Sequence, residues 1–246
     1  MNLAWVPNSL TLGNLLLGFM SIVIASHGGA PAATIAGALI LGAALLDGFD
    51  GQAARALKVT SPLGAELDSL ADCVAFGVAP GYLAYKAYLS GIIVSGIAVP
   101  YINIPFDFGI FIAALFPICA AYRLARFNVN SDSKSFTGLP SPIAGIIVAV
   151  VPIFIGDVIL ADTIYRVIFA VLFSLVALLM VSTVRYSKPQ ATFFQRYIFV
   201  KIVLLLAIFA LLVLLFREWS VFIVLALYIL SGLVSFIIQF IQDHKY

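Results

Sequence analysis

Four aspartates lie close together in a chain that is otherwise strongly apolar. Asp47 and Asp50 are three residues apart, and Asp68 and Asp72 are four apart. Either spacing puts both carboxylates on one face of a helix. Ionisable side chains at membrane depth are costly and usually functional. The four aspartates are therefore the best candidates for an active site.

Four carboxylates in one pocket need positive charge to hold them together. If a turn near residues 60–62 makes the two helices neighbours, repulsion adds to a cost of roughly 3 kcal/mol per charge at the bilayer centre. Hard divalent cations relieve both costs, and all-oxygen ligation suits Mg²⁺, Mn²⁺ or Ca²⁺ rather than Zn²⁺. Two cations bridged by shared carboxylates would favour a displacement at phosphorus.

An arginine and two glycines accompany the acids. Arg55 carries a planar guanidinium group, which suits phosphate oxygens. Gly51 lies four residues after Asp47 and Gly64 four residues before Asp68, so each acidic face also carries a position without a side chain. Small residues let a helix or a ligand approach closely. The pattern favours an anionic, metal-bound substrate.

Two alternatives to a catalytic site stay open at this point. The acids could be helix-end residues paired with Arg55 and Lys58, but two cations cannot neutralise five acids when Glu66 is counted. They could also form an ion or proton pathway, although transporters usually place that site at the bilayer midplane on broken helices. A metal-ion transporter is thus the alternative from a different functional class.

The composition indicates a membrane protein. Of the 246 residues, 63% are hydrophobic and only 10% are charged, whereas a soluble domain carries about a quarter charged residues. A helix needs about 20 apolar residues to cross a membrane, and the chain divides into stretches of about that length. The sequence therefore predicts an all-α, multi-pass transmembrane bundle that forms a single domain over 1–246. We expect residues 90–105 to form an interfacial or re-entrant connection. The eight predicted helices are 9–26, 31–57, 63–89, 106–125, 140–160, 164–184, 197–216 and 219–240.

The basic residues predict the orientation of the bundle. With the N-terminus inside, ten of the thirteen Lys and Arg residues fall on the cytoplasmic side, and only Lys86, Arg166 and Arg217 fall on the other. An excess of Lys and Arg is typical of cytoplasmic loops. We therefore expect both termini and the aspartate cluster to be cytoplasmic.

Other classes of function find little support in the sequence. The net charge of +2 gives no indication of a nucleic-acid partner. Cys73 and Cys119 lie in apolar stretches, so we expect neither a disulfide nor a cysteine metal cluster. The chain has only two histidines, His27 and His244, which weakens the case for a histidine-bound zinc ion or a histidine-containing catalytic triad. Residues 1–13 lack the basic start and cleavage site of a secretory signal, so we expect them in the mature protein.

The acidic run also resembles a known signature. The pattern Asp-x-x-Asp-Gly-x-x-Ala-Arg, eight residues, then Gly-x-x-x-Asp-x-x-x-Asp is similar to that of the CDP-alcohol phosphotransferases. At roughly one in fifteen per position, a match at all fixed positions has a chance on the order of 10⁻⁹ per start. The resemblance implies a membrane enzyme that moves a phosphatidyl-type group from a CDP-linked lipid to an alcohol and releases CMP. The eight matching positions are Asp47, Asp50, Gly51, Ala54, Arg55, Gly64, Asp68 and Asp72.

The resemblance implies a role for each acid. Asp47, Asp50 and Asp68 would hold two divalent cations, Mg²⁺ or Mn²⁺, with Ca²⁺ also possible. Asp72 would share one cation and act as the general base on the incoming hydroxyl.

The resemblance also implies a nucleotide pocket. Gly51 and Ala54 would make room for cytidine and its ribose, and Arg55 would hold phosphate. The first predicted helix opens with a segment similar to one that contributes to this pocket in the family. For Ser61 a turn role is equally open. The other positions implied in nucleotide or phosphate binding are Pro7, Asn8, Thr11, Ser61 and Gly64.

The signature does not name the acceptor alcohol, but two later segments do favour one. Residues 122–128 and 136–142 resemble the CDP-diacylglycerol–serine phosphatidyltransferase branch of the family, and 180–186 resembles it in part. These motifs cover about the first three-quarters of the chain. They imply L-serine as the acceptor, phosphatidylserine as the product and a homodimer in the membrane. Inositol phosphate or glycerol phosphate are the alternative acceptors.

Four polar residues in these segments are candidate acceptor contacts. Arg123 and Arg126 are three apart and share a helix face, so one could receive the serine carboxylate and the other a lipid phosphate. The alternative for both arginines is that they only anchor the cytoplasmic end of the helix, as the positive-inside rule describes. Asn128 and Ser141 are candidate contacts to the amino acid, with capping or turn roles equally open.

Overall fold

The computed structural model describes residues 3, 5–59, 61–98, 105–129, 136–182 and 185–186. The predicted helices 197–216 and 219–240 lie outside the described residues. The chain divides into two compact units, Met1–Val129 with Pro140–Val181 and Asn130–Leu139 with Ser182–Tyr246. In the second unit, β3 (Phe136–Thr137) pairs antiparallel with β4 (Arg185–Tyr186).

The first unit consists of apolar helices with one short ladder. Within the part of the chain that the structure describes, four helices (α1, α2, α5 and α8) are long and apolar enough to cross a membrane, which confirms a helical membrane architecture but not the predicted number of spans. The elements are α1 (Trp5–Ser26), α2 (Ala30–Leu57), α3 (Pro62–Cys73), π1 (Val74–Val78), α4 (Ala79–Ala84), π2 (Tyr85–Leu89), β1 (Ile93–Ala98), β2 (Pro105–Asp107), α5 (Gly109–Val129), α6 (Ser141–Phe154), α7 (Gly156–Ala161) and α8 (Thr163–Val181).

The helix predicted over 63–89 is continuous but alternates between α-helical and π-helical hydrogen bonding. Two π-helical segments, π1 and π2, flank the short α4. Pro80 lies in the first turn of α4. Because proline lacks an N–H and clashes with the preceding turn, a wider π turn just before it lets the helix continue.

Small residues hold α1 against the helices that carry the acids. At Gly18 a Cβ would lie only 2.7 Å from Ala75 Cα, so only glycine permits this approach between α1 and π1. On α1, Ser21 Oγ also donates to the Ala36 carbonyl of α2 at 2.9 Å. Close backbone approach and short interhelical hydrogen bonds are how membrane helices associate, because lipid offers no hydrophobic gain. The position of α1 relative to α2 and the helix after it is therefore well defined.

A tight turn brings α2 back to α3. The N–H of Lys58, in a left-handed conformation at φ 54°, donates to the Arg55 carbonyl and ends α2. Ser61 then caps α3, and its Oγ accepts from Gly64 N at 3.0 Å. Pro62 occupies the first helical turn, where no N–H is needed. The end of α2 and the start of α3 are therefore only a few residues apart, and α1 packs against both helices.

Two connections have features that the sequence did not predict. In the region predicted as an interfacial or re-entrant connection, β1 pairs antiparallel with β2. The Asp107 carboxylate closes that connection by accepting from Gly91 N at 3.1 Å and from Gly109 N at 2.9 Å. The prediction of a single helix over 140–160 was wrong, because Ile155 (φ −133°, ψ 14°) separates α6 from α7. Pro152, three residues earlier, removes a backbone donor from this end of α6.

Candidate active site

Helices α2 and α3 bring three carboxylates together. One oxygen from each of Asp47, Asp50 and Asp68 lies within 4.8 Å of the other two. Asp50 is buried, and the other two are partly exposed. The short connection between the two helices and the helical spacing of the acids allow this arrangement.

Asp72 lies one helical turn beyond Asp68 and is buried. It does not belong to the group of three, but its carboxyl group is within hydrogen-bonding reach of Asp47. Its Oδ1 also accepts from Asn14 Nδ2 at 3.3 Å. The fourth acid is therefore attached to the cluster from one side and to α1 from the other.

Helix α1 supplies one hydrogen-bond donor to each acid-bearing helix. Thr11 Oγ1 donates to Asp50 Oδ2 at 2.7 Å, and Asn14 donates to Asp72. The two donors are three residues apart and therefore share a face of α1. Asn14 is a site residue that was not predicted from the sequence. The feature that could have indicated it is its position as a second polar side chain, one turn after Thr11, in an apolar helix.

The acids fit a divalent cation. Asp68 Oδ1 and Asn14 Oδ1 are buried and have no hydrogen-bond partner among the described residues. Buried polar atoms are nearly always paired, and three like charges within 4.8 Å repel one another. A hard cation bound by oxygen ligands would relieve this repulsion and give Asp68 Oδ1 a partner.

A pocket of about 200 Å³ opens beside the acids. Its walls come from α1, from the end of α2, from the turn and from the start of α3. All eight positions that the family resemblance implies in nucleotide or phosphate binding line it, namely Pro7, Asn8, Thr11, Gly51, Ala54, Arg55, Ser61 and Gly64. Asp50, Val59, Ala65 and Asp68 complete the lining.

The two signature glycines lie where a side chain would narrow this pocket. A Cβ on Gly51 would lie 3.3 Å from Arg55 Nη1, so the guanidinium group folds back over the glycine. A Cβ on Gly64 would lie 3.2 Å from both Asn8 Oδ1 and Ser61 Oγ. The Ser61 hydroxyl caps α3 and lines the pocket at once.

The four candidate acceptor contacts do not line this pocket. Arg123 is buried in α5, and its Nη1 donates to Ser141 Oγ at the start of α6 at 2.9 Å. Arg126 Nη1 donates to the Val181 carbonyl at the end of α8 at 3.1 Å. The structure thus brings Arg123 and Ser141 into contact and directs Arg126 to a different helix.

Asn128 reaches the acid-bearing helix instead. Its side-chain amide and the Ser69 hydroxyl of α3 are joined by contacts of 3.1 and 3.2 Å. Ser69 directly follows Asp68 in the sequence. The end of α5 is therefore attached to α3 beside the carboxylates.

The chain is similar to known proteins of one enzyme family. The CDP-alcohol phosphatidyltransferase family matches residues 4–173. The chain is similar to a CDP-diacylglycerol–serine O-phosphatidyltransferase of Helicobacter pylori, 34% identical over 206 residues, 82% of this chain and 80% of the relative. A Bacillus subtilis protein of the same description is 35% identical over 158 residues, 64% of this chain and 80% of the relative. The chain belongs to the CDP-alcohol phosphatidyltransferase family and is an enzyme of this type.

The similarity extends beyond the sequence motifs. A second Helicobacter pylori CDP-diacylglycerol–serine O-phosphatidyltransferase is 32% identical over 240 residues, 96% of this chain and 92% of the relative. The quoted motifs cover only about three-quarters of the chain. The family match includes both acid-bearing helices, α5 and α6.

Proposed function

We propose that this enzyme transfers a phosphatidyl-type group from a CDP-linked lipid to the hydroxyl of L-serine, forming phosphatidylserine and CMP. The observation that carries the reaction class is the group of three carboxylates within 4.8 Å, beside a pocket that Arg55 and Asp50 line. The choice of serine is supported by the names of the relatives.

Asp47, Asp50 and Asp68 would hold two divalent cations, with Asp72 sharing one. Mg²⁺ or Mn²⁺ suits the oxygen ligands, and Ca²⁺ is also compatible with them. When bound, the cations neutralise pyrophosphate charge and stabilise the oxygens of the reacting phosphorus. Thr11 orients the Asp50 carboxylate by donating to Oδ2.

Asp72 is the proposed general base. Its burial and its hydrogen bond from Asn14 hold the carboxylate in one orientation. It accepts the proton of the serine hydroxyl, whose oxygen attacks the lipid-side phosphorus. The bond from that phosphorus to the bridging pyrophosphate oxygen breaks in line, and CMP leaves. Arg55 binds phosphate oxygens at the mouth of the pocket.

The pocket beside the acids holds the cytidine end of the donor. Gly51, Ala54 and Gly64 leave space for the base and ribose, and Pro7, Asn8, Thr11 and Ser61 complete the walls. The lipid tails remain in the bilayer and enter sideways between helices.

The acceptor site is proposed at the start of α6 and the end of α5. Arg123 and Ser141 are in contact there, and Arg123 offers the guanidinium group that a serine carboxylate requires. Asn128 contributes from beside α3. Arg126 is proposed to contact a lipid phosphate in addition to the Val181 carbonyl.

For the wider architecture we propose what the sequence predicts. The chain forms a single integral membrane domain with about eight spans, both termini on the cytoplasmic side and the active site facing the cytoplasm. The enzyme acts as a homodimer. The surplus of basic residues on one side supports the orientation.

Release of CMP by the purified protein in detergent tests the proposal. The assay contains CDP-diacylglycerol and Mg²⁺ or Mn²⁺, with and without L-serine. We expect CMP to depend on serine and a serine lipid to accumulate. Release that needs inositol phosphate or glycerol phosphate instead would keep the reaction class and overturn the acceptor.

Two variants test the assignment of the base. Asp72→Asn should abolish turnover and still bind CDP-lipid. Glu66→Gln is the matched control, because Glu66 is an exposed carboxylate on the same helix that does not line the pocket. Activity close to wild type in Asp72→Asn would show that another group removes the proton.

A further inference from the structure

A second, smaller cavity lies at the opposite end of α2 from the acids. Its volume is about 120 Å³, and Gly29, Ala30, Lys86, Tyr88, Pro152 and Gly156 are among its lining residues. Ala30 and Asp50 are twenty residues apart in one helix, a rise of about 30 Å. The cavity is therefore separate from the candidate active site, at the distance of the opposite membrane surface.

Ala30, the first residue of α2, brings an unpaired backbone N–H to this cavity, whereas Pro31 after it has no N–H to donate. Gly29 precedes the helix with φ 83° and ψ 159°, and no side chain caps the first turn. The first N–H groups of a helix have no partner within the helix. They also carry the positive end of the helix dipole, which in α2 sums over 28 residues.

Lys86 brings a full positive charge to the same place. Its Cε lies 3.5 Å from where a Cβ on Gly28 would be, directly before the start of α2. Among the described residues, no carboxylate forms an ion pair with it. A helix N-terminus and an unpaired ammonium group together favour an anion.

Tyr88 supplies the independent observation. The residue is only 2% exposed, and its ring packs edge-on against Phe169 at 4.9 Å between centroids. A Cβ on Gly156 would lie 3.0 Å from the hydroxyl, so the hydroxyl reaches the cavity wall that Gly156 forms. No described residue forms a hydrogen bond with that hydroxyl. Buried tyrosine hydroxyls usually have a partner, and here the cavity is the place for one.

We propose that this cavity binds a phosphate group, with the Ala30 N–H at the start of α2, the Lys86 ammonium and the Tyr88 hydroxyl as donors. The volume of about 120 Å³ admits a single phosphate group but leaves little room for a larger ligand. Two sources share this chemistry, namely the headgroup of an anionic phospholipid in the leaflet on that side and free inorganic phosphate.

One negative charge opposes the binding. Asp157 is exposed in the first turn of α7 and lies close enough to act on the Tyr88 hydroxyl. Its carboxylate weakens the attraction of the cavity for an anion. Removal of this charge should therefore strengthen binding, whereas removal of a donor should weaken it.

Binding measurements on the full chain in detergent test the proposal. EDTA keeps divalent cations off the acids, and the probes are radiolabelled inorganic phosphate in equilibrium dialysis and short-chain phosphatidylglycerol in native mass spectrometry. Short-chain diacylglycerol is the uncharged control. Lys86→Gln and Tyr88→Phe should each weaken binding by about tenfold, the typical effect of one hydrogen bond to a charged group. Asp157→Asn should tighten it.

Lys58→Gln is the matched control, because it removes an exposed lysine at the other end of the same helix. Tight binding of phosphatidylglycerol alone would identify a lipid headgroup, and binding of both probes would identify phosphate itself. Failure of both probes, or equal binding by Lys86→Gln, Tyr88→Phe and Lys58→Gln, overturns the site. Serine-dependent CMP release should stay at the wild-type level in Lys86→Gln, which separates this inference from the proposed reaction.

Discussion

Asn14 on α1 donates its side-chain amide to the Asp72 carboxylate on α3 across 3.3 Å. Asn14 is completely buried, and Asp72 is 8% exposed. A buried neutral donor can orient a carboxylate without adding charge to the cluster. In the proposed reaction, this contact orients the Asp72 carboxylate toward the serine hydroxyl.

Asn14→Leu should lower kcat with little change in KM for CDP-lipid. Leucine keeps the branching of asparagine at Cγ but has no donor, and loss of a hydrogen bond to a charged group costs about 1.5–3 kcal/mol. That corresponds to a decrease in kcat of about tenfold to a hundredfold. Steady-state CMP release measures both constants. Ser26→Ala, at the exposed end of the same helix, is the control.

Thermal unfolding in detergent shows whether Asn14→Leu is folded. A folded variant with an unchanged kcat would mean that Asn14 has no part in positioning Asp72.

Thr11→Val should raise the cation concentration needed for half-maximal activity. The substitution keeps the shape of the side chain but removes the 2.7 Å hydrogen bond to Asp50. Groups that orient a metal ligand typically contribute about 10–100-fold in metal affinity. A titration of CMP release with Mn²⁺ measures the change. Thr34→Val is the matched control, because the Thr34 hydroxyl also forms hydrogen bonds, to the carbonyls of Ala30 and Pro152, but it lies near the start of α2, far from the acids.

Gly51→Ala should raise KM for CDP-lipid several-fold. The new Cβ would lie 3.3 Å from Arg55 Nη1, so the guanidinium group must shift away from its position beside the pocket. Gly48→Ala tests the same substitution on the same helix, since no atom lies within 4 Å of a Cβ there. Gly48→Ala should keep the wild-type KM for CDP-lipid, and the protein should be more stable by about 0.5–1 kcal/mol because alanine favours a helix over glycine. Equal KM values in the two variants would exclude a role for the Gly51–Arg55 contact.

In the absence of divalent cations, Asp68→Asn should be more stable than the wild type. Added cations should then stabilise this variant much less than they stabilise the wild type. In the absence of a cation, Asp47 and Asp50 lie within 4.8 Å of Asp68 and repel it. Mn²⁺ at a hundred times its dissociation constant stabilises a folded protein by about 2.7 kcal/mol, and the variant should lose most of this. Melting temperatures in EDTA and in Mn²⁺ measure both effects. Glu66→Gln should keep the full Mn²⁺-dependent shift.

Arg123→Lys should raise KM for serine by about tenfold or more, while KM for CDP-lipid stays constant. Lysine keeps the charge but cannot form the two parallel hydrogen bonds that an arginine offers to a carboxylate. Arg126→Lys, three residues further on α5, should leave the serine KM close to wild type, because Arg126 is directed to Val181. An unchanged serine KM in Arg123→Lys would show that Arg123 does not bind the serine carboxylate.

The sequence alone determined the acids, their helical faces and the helices that carry them. The spacing of Asp47 and Asp50 and the apolar stretches of helical length depend only on residues that are neighbours along the chain. Such local periodicity is the same before and after folding. The family signature likewise spans only residues 47–72.

The tertiary structure decided which other side chains meet the acids. Thr11 and Asp50 are 39 residues apart, and Asn14 and Asp72 are 58 apart. The contact between Arg123 and Ser141 likewise joins two helices. Such contacts depend on the rotation and depth at which helices pack, and these are set by small residues such as Gly18 that let backbones approach. Local periodicity carries no information about that packing. The packing of α1 against α3, which places Asn14 beside Asp72, is what makes Asn14 a candidate.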